Sequence, residues 1–396
     1  MSIQPMAPPV QLVVAWLTMF LVGTELFVMS PLLPLLAADY HISATIAGLS
    51  VTVFSLTYMV SAPIFGYLSD RIGRRRVLIC SLITFAVANL LTASAASLPW
   101  LLAVRLFAGA AAAGVAPSIY ALVSGAAPPE RRATRLALVV SGLLVSLAFG
   151  ASTGALAGAC LGWASVFVVL AALSLLLVWL NSRVWPCDGG PREVSRAHAP
   201  HPLSAVVLAR RLTPTVVWST GLYGVYTYLG AGLVAAGFSI DQTAQAIMFY
   251  GCGAIAGVLV GGHVADRFGV KFTTSASLAG LCACFLLLRL ALDTGMFVEP
   301  ALGVSSAVAQ LFFPAQQAGL ANDFPDQRGT ALAWNNSALF FGILLGSLVG
   351  GEAVAVGNFG ANLTISASIV LIGCIINGFA VPGPAALRAG STKDPR

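Results

Sequence analysis

A carboxylate stands in the middle of a long apolar stretch, Leu21-Val-Gly-Thr-Glu25-Leu-Phe-Val-Met29. A guanidinium does the same in Leu101-Leu-Ala-Val-Arg105-Leu-Phe. An ionisable group among apolar residues is costly, and where it persists it pairs, meets water or moves charge. Burial disfavours the charged form of a carboxylate and a nearby cation favours it, so a group held between the two can pick up and release a proton. Glu25 is therefore a candidate proton carrier, against the blander reading of a static polar contact. Arg105 has three readings: a modulator of Glu25, a seat for an anionic part of a ligand, or a tie to backbone carbonyls.

Two further sets stand out. Gly66-Tyr-Leu-Ser-Asp70-Arg71-Ile-Gly73-Arg74-Arg75 recurs 196 residues later as Gly262-His-Val-Ala-Asp266-Arg267-Phe-Gly269, followed by Lys271. Glycine permits a tight turn, and an Asp just past a helix end suits the positive N-terminus of a neighbouring helix. Setting topology by positive charge alone would need neither the Gly nor the Asp. The second set is polar and aromatic at helical spacing: Tyr223 and Tyr226 with Gly230, Gln310 with Pro314 and Gln317, and Asn335 with Asn336. Met29 and Tyr58 join these as candidate lining of a central ligand cavity. Each one taken singly is as well explained by packing or interhelix hydrogen bonding.

Other chemistry lacks its residues. There is no phosphate-binding Gly-x-x-x-x-Gly-Lys-Ser/Thr stretch, no His/carboxylate cluster within the apolar runs and no cysteine framework at zinc spacing. His198-Ala-Pro-His201 is poor in ligands, and the seven cysteines read mostly as small apolar residues. The expectation is no enzyme activity, no cofactor and no metal.

The elements that must position these residues follow from composition. Of 396 residues 58% are hydrophobic and 9% charged, against about 25% charged in soluble domains. Apolar runs fall near 11–37, 44–68, 77–96, 98–124, 136–158, 163–182, 213–236, 241–264, 272–292, 299–321, 330–355 and 361–382. Each is long enough for a helix crossing roughly 30 Å of hydrocarbon, and none has the alternation of a barrel strand. No cleavable signal pattern is evident, so the first run is expected to be the first span. All but two of the 20 basic residues lie in alternate loops or the tail; the exceptions are Arg105 and Arg289. That bias predicts an even number of spans with both termini cytoplasmic, and it explains the net charge of +6 without nucleic acid.

The offset of 196 also carries Pro129-Glu130-Arg131-Arg132-Ala133-Thr134 onto Pro325-Asp326-Gln327-Arg328-Gly329-Thr330, and Gly150 and Gly154 onto Gly346 and Gly350. Two parallel six-span units follow: 1–182 and 213–382, joined by a Pro/Gly-rich cytoplasmic linker at 183–212, with a cytoplasmic tail at 383–396. The ladders Gly150-Gly154-Gly158 and Gly342-Gly346-Gly350 are expected to let the fifth and eleventh spans slide on partners. Thin faces at Gly48 and Gly66, and at Gly253, Gly257 and Gly261, are the suggested complements.

The Gly66–Arg75 loop, its second copy and the parallel repeat resemble the major facilitator superfamily. Gly23-Thr-Glu25-Leu-Phe27 followed by Leu33-Pro34, and Arg105-Leu-Phe-Ala-Gly109, are similar to its twelve-span drug:proton antiporter and arabinose-efflux-like branch. The fifth-span stretch Gly150-Ala-Ser-Thr-Gly154 departs from that branch in having no Gly-Pro. The resemblance implies an all-α membrane protein of twelve transmembrane helices in two pseudo-symmetric six-helix bundles. It implies a conformational latch of Gly66, Asp70, Arg71, Gly73, Arg74, Arg75, Asp266, Arg267 and Gly269, with Asp70 meeting the eleventh span near Thr330 and, by the repeat, Asp266 meeting the fifth near Thr134. The expected function is secondary active transport in the cell inner membrane, as a monomer: proton-coupled efflux of a small, partly lipophilic molecule, with Glu25 and Arg105 coupling the protons. The alternatives are a proton-coupled importer or exchanger of a sugar, amino acid or nucleobase, and a non-transporting membrane sensor.

Overall fold

The computed structural model describes residues 9–126, 132–186, 205–324 and 328–378. These form twelve helical rods: α1 (Pro9–Asp39), α2 (Ala44–Ile72), α3 (Arg74–Ala93), α4 (Leu98–Ala113 continuing as Val115–Ala126), α5 (Arg132–Val145, a π-helical turn Ser146–Gly150, then Ala151–Leu161) and α6 (Trp163–Val184), then α7 (Ala205–Thr227 and Leu229–Ala235), α8 (Ile240–Phe268), α9 (Val270–Thr294), α10 (Val298–Gln310 and Phe312–Asp323), α11 (Arg328–Gly357) and α12 (Phe359–Gly378). Ten of them are long and apolar enough to cross a membrane; α7 and α10 are the two outside that set. Those two carry Tyr223, Tyr226, Gln310 and Gln317 of the residues picked out above. Large apolar side chains on the outer faces, such as Leu161, Val168, Leu175, Leu287 and Leu290, are exposed. In a chain with this composition they face lipid.

The starts and breaks have local causes. Ser43 caps α2 by accepting from the Ile46 N–H, and Ser239 with Gln242 forms a reciprocal capping box on α8. The turns α2–α3 and α8–α9 each pivot on one glycine in the left-handed region, Gly73 at φ 108° and Gly269 at φ 85°. An L side chain is strained there, which accounts for the glycine in both copies of the motif. The offset of 196 also relates His41 to Gly237 and Gly162 to Asn358, all at positive φ. The duplication is therefore written in the backbone where the side chains have diverged. Breaks at Gly114 in α4 and Leu311 in α10 each come three residues before a proline, Pro117 and Pro314. Proline removes a hydrogen bond and crowds the carbonyl four residues back.

The two halves pack alike. In the first, α1 lies on α5 and α6, α2 on α4, and α3 on α4 and α6; in the second, α7 lies on α11 and α12, α8 on α10, and α9 on α10 and α12. The halves meet along three seams, α1–α7, α2–α11 and α5–α8.

Two sequence readings change. The stretch 183–212 is partly helical, since α6 runs to Val184 and α7 begins at Ala205; residues 187–204 of it, and the tail from 379, lie outside the described residues. Arg210 and Arg211 thus sit on the first turns of α7. The glycine ladders serve the interior of each half rather than matching faces across the seams. A side chain added at Gly150, Gly154 or Gly158 would run into Thr24, Val28 or Leu32 of α1, and one at Gly342, Gly346 or Gly350 into α7. Gly253, Gly257 and Gly261 likewise lie on α10. Such close backbone approach is how helices associate in lipid, where no hydrophobic drive acts between them. Arg289, near the end of α9, donates to Thr364 of α12.

Candidate functional site

Glu25 and Arg105 form an ion pair between α1 and α4, both sealed from the surface at 0% and 1% exposure. The Arg105 guanidinium also lies 4.5 Å from the centroid of the Phe54 ring on α2, and its Nε points at the Ser50 carbonyl at 3.5 Å. One pairing thus joins three helices of the first half. Glu25 Oε1 takes the arginine, while Oε2 is buried with no hydrogen-bond partner. An unsatisfied buried carboxylate oxygen is costly, and it is the natural seat for an added proton. Glu25 shares its helix face with Met29 and Leu32, turned into the first half. The residues one step round, Leu26, Phe27 and Ser30, face the seam with the second half.

That seam holds a narrow crevice with room for about one water molecule, lined by Leu26, Phe27, Ser30, Tyr223, Tyr226 and Ile343 among others. Tyr226 donates from its hydroxyl to the Phe27 carbonyl at 2.9 Å, while Ser30 donates to the Tyr226 carbonyl. Ser30 and Tyr226 are separated by the repeat offset itself, so this contact lies on the pseudo-two-fold axis. On the α2–α11 seam, Thr45 donates to the Gly351 carbonyl at 3.0 Å, and Thr52 and Ser347 share a bond at 2.6 Å. Nearer the middle, Tyr58 stacks on Phe340 with ring centroids 3.6 Å apart and lies beside the Asn336 side chain. On the α5–α8 seam, Gly251 lies flat against the Ala148 backbone within the π-turn of α5. These contacts run from mid-span to the arginine-poor ends of the helices. At the arginine-rich ends, Gly66 and Gly262 face open space and Asp266 and Arg267 are exposed.

Of the expected cavity residues, Tyr223 and Tyr226 line the crevice and Tyr58 and Asn336 meet across a seam. Met29 is fully buried inside the first half. Asn335 accepts from Thr215 at 2.7 Å within the second half. Gln310 is buried and Gln317 half-buried. The neighbouring Gln316 donates to the Arg211 carbonyl at 2.8 Å. In the loop motif, Arg74 donates to the Ala121 carbonyl at 2.9 Å and Arg75 to that of Ser182, tying the turn to α4 and α6. Arg71 lies over the Tyr67 ring at 4.7 Å and Arg267 over Phe268 at 5.4 Å. The side chains of Asp70, Thr134 and Thr330 lie outside the described residues. The sequence reading missed Ser30, Thr52 and Ser347. For Ser30 a signal existed, since it is the repeat mate of Tyr226.

A family profile described as Major Facilitator Superfamily matches residues 15–240 and 226–396. The chain belongs to the Major Facilitator Superfamily. Within the superfamily it is 28% identical over 338 residues to a Bacillus subtilis (strain 168) protein called an uncharacterized MFS-type transporter, YceJ, covering 84% of this chain and 86% of that one. It is 30% identical over 319 residues to the 3-(3-hydroxy-phenyl)propionate transporter of Escherichia coli (strain K12), covering 76% of each. It is 27% identical over 256 residues to a chloramphenicol resistance protein of Streptomyces lividans, covering 62% and 64%. In fold it resembles the crystal structure of a D-xylose-proton symporter, with TM-score 0.79 at 17% identity over 94% of this chain and 97% of that one. The twelve rods in two alike halves are thus the fold of a multi-pass membrane transporter.

Proposed function

We propose that this superfamily member is a proton-coupled exporter of a small, partly lipophilic molecule, working by alternating access in the cell inner membrane as a monomer with both termini cytoplasmic. The observation that carries the reading is the sealed Glu25–Arg105 pair, with one carboxylate oxygen held and the other unpartnered. A proton on Glu25 cancels the charge that holds Arg105 and loosens the tie among α1, α2 and α4; its release restores the tie. Closure along the arginine-poor ends, with Gly66 and Gly262 open at the other end, corresponds to a carrier shut to the outside. Resistance to chloramphenicol, named for one relative, supports export. The name of the hydroxy-phenyl-propionate transporter supports a second reading, proton-coupled uptake.

Counterflow in sealed inverted vesicles, with and without an imposed pH gradient, separates these readings. Export predicts solute accumulation that collapses with the gradient, and Glu25→Gln removes that dependence while the protein still elutes as a folded species. Accumulation that persists unchanged in Glu25→Gln sinks the proton role. No solute movement under any gradient returns the chain to a non-transporting sensor.

A further inference from the structure

We propose that the arginine-poor end of α11 and α12 holds a phospholipid-binding site, selective for a headgroup that ends in a primary ammonium. The site is independent of what the chain transports. An open groove of about 450 Å³ runs between the two helices. Its walls are apolar, among them Leu348, Val349 and Val356 of α11 and Ile365 of α12, and one carboxylate, Glu352, stands between them. All five side chains are exposed. Every described residue that lines the groove belongs to α11 or α12, so it lies within the second half, apart from the crevice at the α1–α7 seam. It opens on the surface where large apolar side chains face lipid.

Depth and charge name the occupant. α11 has 30 residues, about 45 Å of helix, which matches a bilayer with its headgroups. Glu352 stands five residues from the end of α11 at Gly357, or about 7.5 Å in. That is the boundary between the headgroups and a hydrocarbon core of about 30 Å. Arg289, five residues from the end of α9, and Thr364, five from the start of α12, bond each other at the same depth, so polar groups collect at this level. The groove continues inward from Glu352 to Leu348, where an acyl chain would lie.

Glu352 has no cation of its own: among the described residues its carboxylate joins no ion pair. The repeat supplies the comparison. The offset of 196 carries Glu352 onto Leu156, which is 40% exposed on the corresponding stretch of α5. An apolar side chain is what a lipid-facing position ordinarily holds, and a carboxylate in its place is costly unless something cationic meets it. A primary ammonium supplies the charge and three donors. A quaternary ammonium supplies the charge without a donor, and an anionic headgroup is repelled.

The test is photolabelling of the detergent-purified full chain with a phosphatidylethanolamine that carries a diazirine on one acyl chain, followed by mass mapping of the labelled peptides. Label is expected on the stretch 348–365. Unlabelled phosphatidylethanolamine is expected to compete at least about fivefold better than phosphatidylcholine or phosphatidylglycerol with the same chains. Glu352→Gln leaves the apolar walls intact and is expected to bring the three lipids within about twofold of one another. Glu352→Asp keeps the charge and is expected to keep the order of preference. Label confined to other helices, three lipids that compete alike on the wild type, or a preference unchanged in Glu352→Gln would overturn the proposal. So would either rival occupant: tetraphenylphosphonium displacing the label more strongly than phosphatidylethanolamine makes the groove a solute route, and label lost on forming a cross-linked dimer makes it an interface between copies.

Discussion

Cutting the Glu25–Arg105 pair one partner at a time should cost far more than removing both. The two groups are fully buried and joined to each other, so either single change strands a charge or a donor fork away from water. Breaking a buried pair from one side costs about 3–5 kcal/mol. Arg105→Gln also forfeits the contact with the Phe54 ring, worth about 0.5–2 kcal/mol. The double variant Glu25→Gln/Arg105→Gln leaves two neutral amides that can bond each other, and replacing a buried pair by neutral groups is often close to neutral. Its cost should not exceed about 2 kcal/mol, so the two singles overshoot the double by at least about 4 kcal/mol. The assay is reversible unfolding in mixed micelles with increasing SDS, run on the wild type and all three variants. Additive singles, with a coupling below about 0.5 kcal/mol, would mean that solvent reaches the pair and that its burial is not what poises Glu25.

The other outcomes follow from the same geometry. Gly150→Leu and Gly346→Leu drive a side chain into Thr24 of α1 and the Thr220 carbonyl of α7, and overpacking of about 1–3 kcal/mol or more should cut the folded yield seen by size-exclusion chromatography. Gly66→Ala and Gly262→Ala meet open space, so they should leave stability unchanged or raise it by up to about 1 kcal/mol; a loss of transport without a loss of stability would mark these sites as conformational. Ser30→Ala with Tyr226→Phe deletes both axial bonds. At about 0.6–1 kcal/mol each, this should raise outward accessibility of a cysteine placed beside the crevice several-fold, and an unchanged labelling rate would show that these bonds do not hold the outer side shut. Among the described residues Glu25 is the carboxylate that stands in mid-span, so under the proposed coupling the reversal potential of transport should fit one proton per cycle.

Much of this architecture was legible in the chain. The apolar runs give the rods because every backbone group in lipid must bond within its own helix, and the offset motif gives the two halves. What stayed hidden depended on partners. Arg210 and Arg211 read as loop because a cation near an apolar run usually marks its end. In the fold Arg211 is ion-paired with Asp323 at the end of α10, and its carbonyl is held by Gln316, so the helix starts earlier. The spacing of the glycine ladders showed a thin face but not what lies on it. Three readings of Arg105 stood open in the sequence; the fold sets it against Glu25 and brings its Nε near the Ser50 carbonyl. Asn335 and Gln316 show the limit most plainly, since an amide pointing at a neighbour and one pointing at a cavity look the same in a sequence.

The Ser30–Tyr226 bond has an evolutionary consequence. In an ancestor made of two identical six-helix subunits, symmetry compels whatever sits on the dyad to face its own twin. Two tyrosines there would collide and two serines would leave a gap. Joining the subunits into one polypeptide lifts that compulsion, letting one copy grow large where the other stays small. The centre of the molecule is then the place where gene fusion brings the greatest freedom, and where a return to perfect symmetry would be tolerated least.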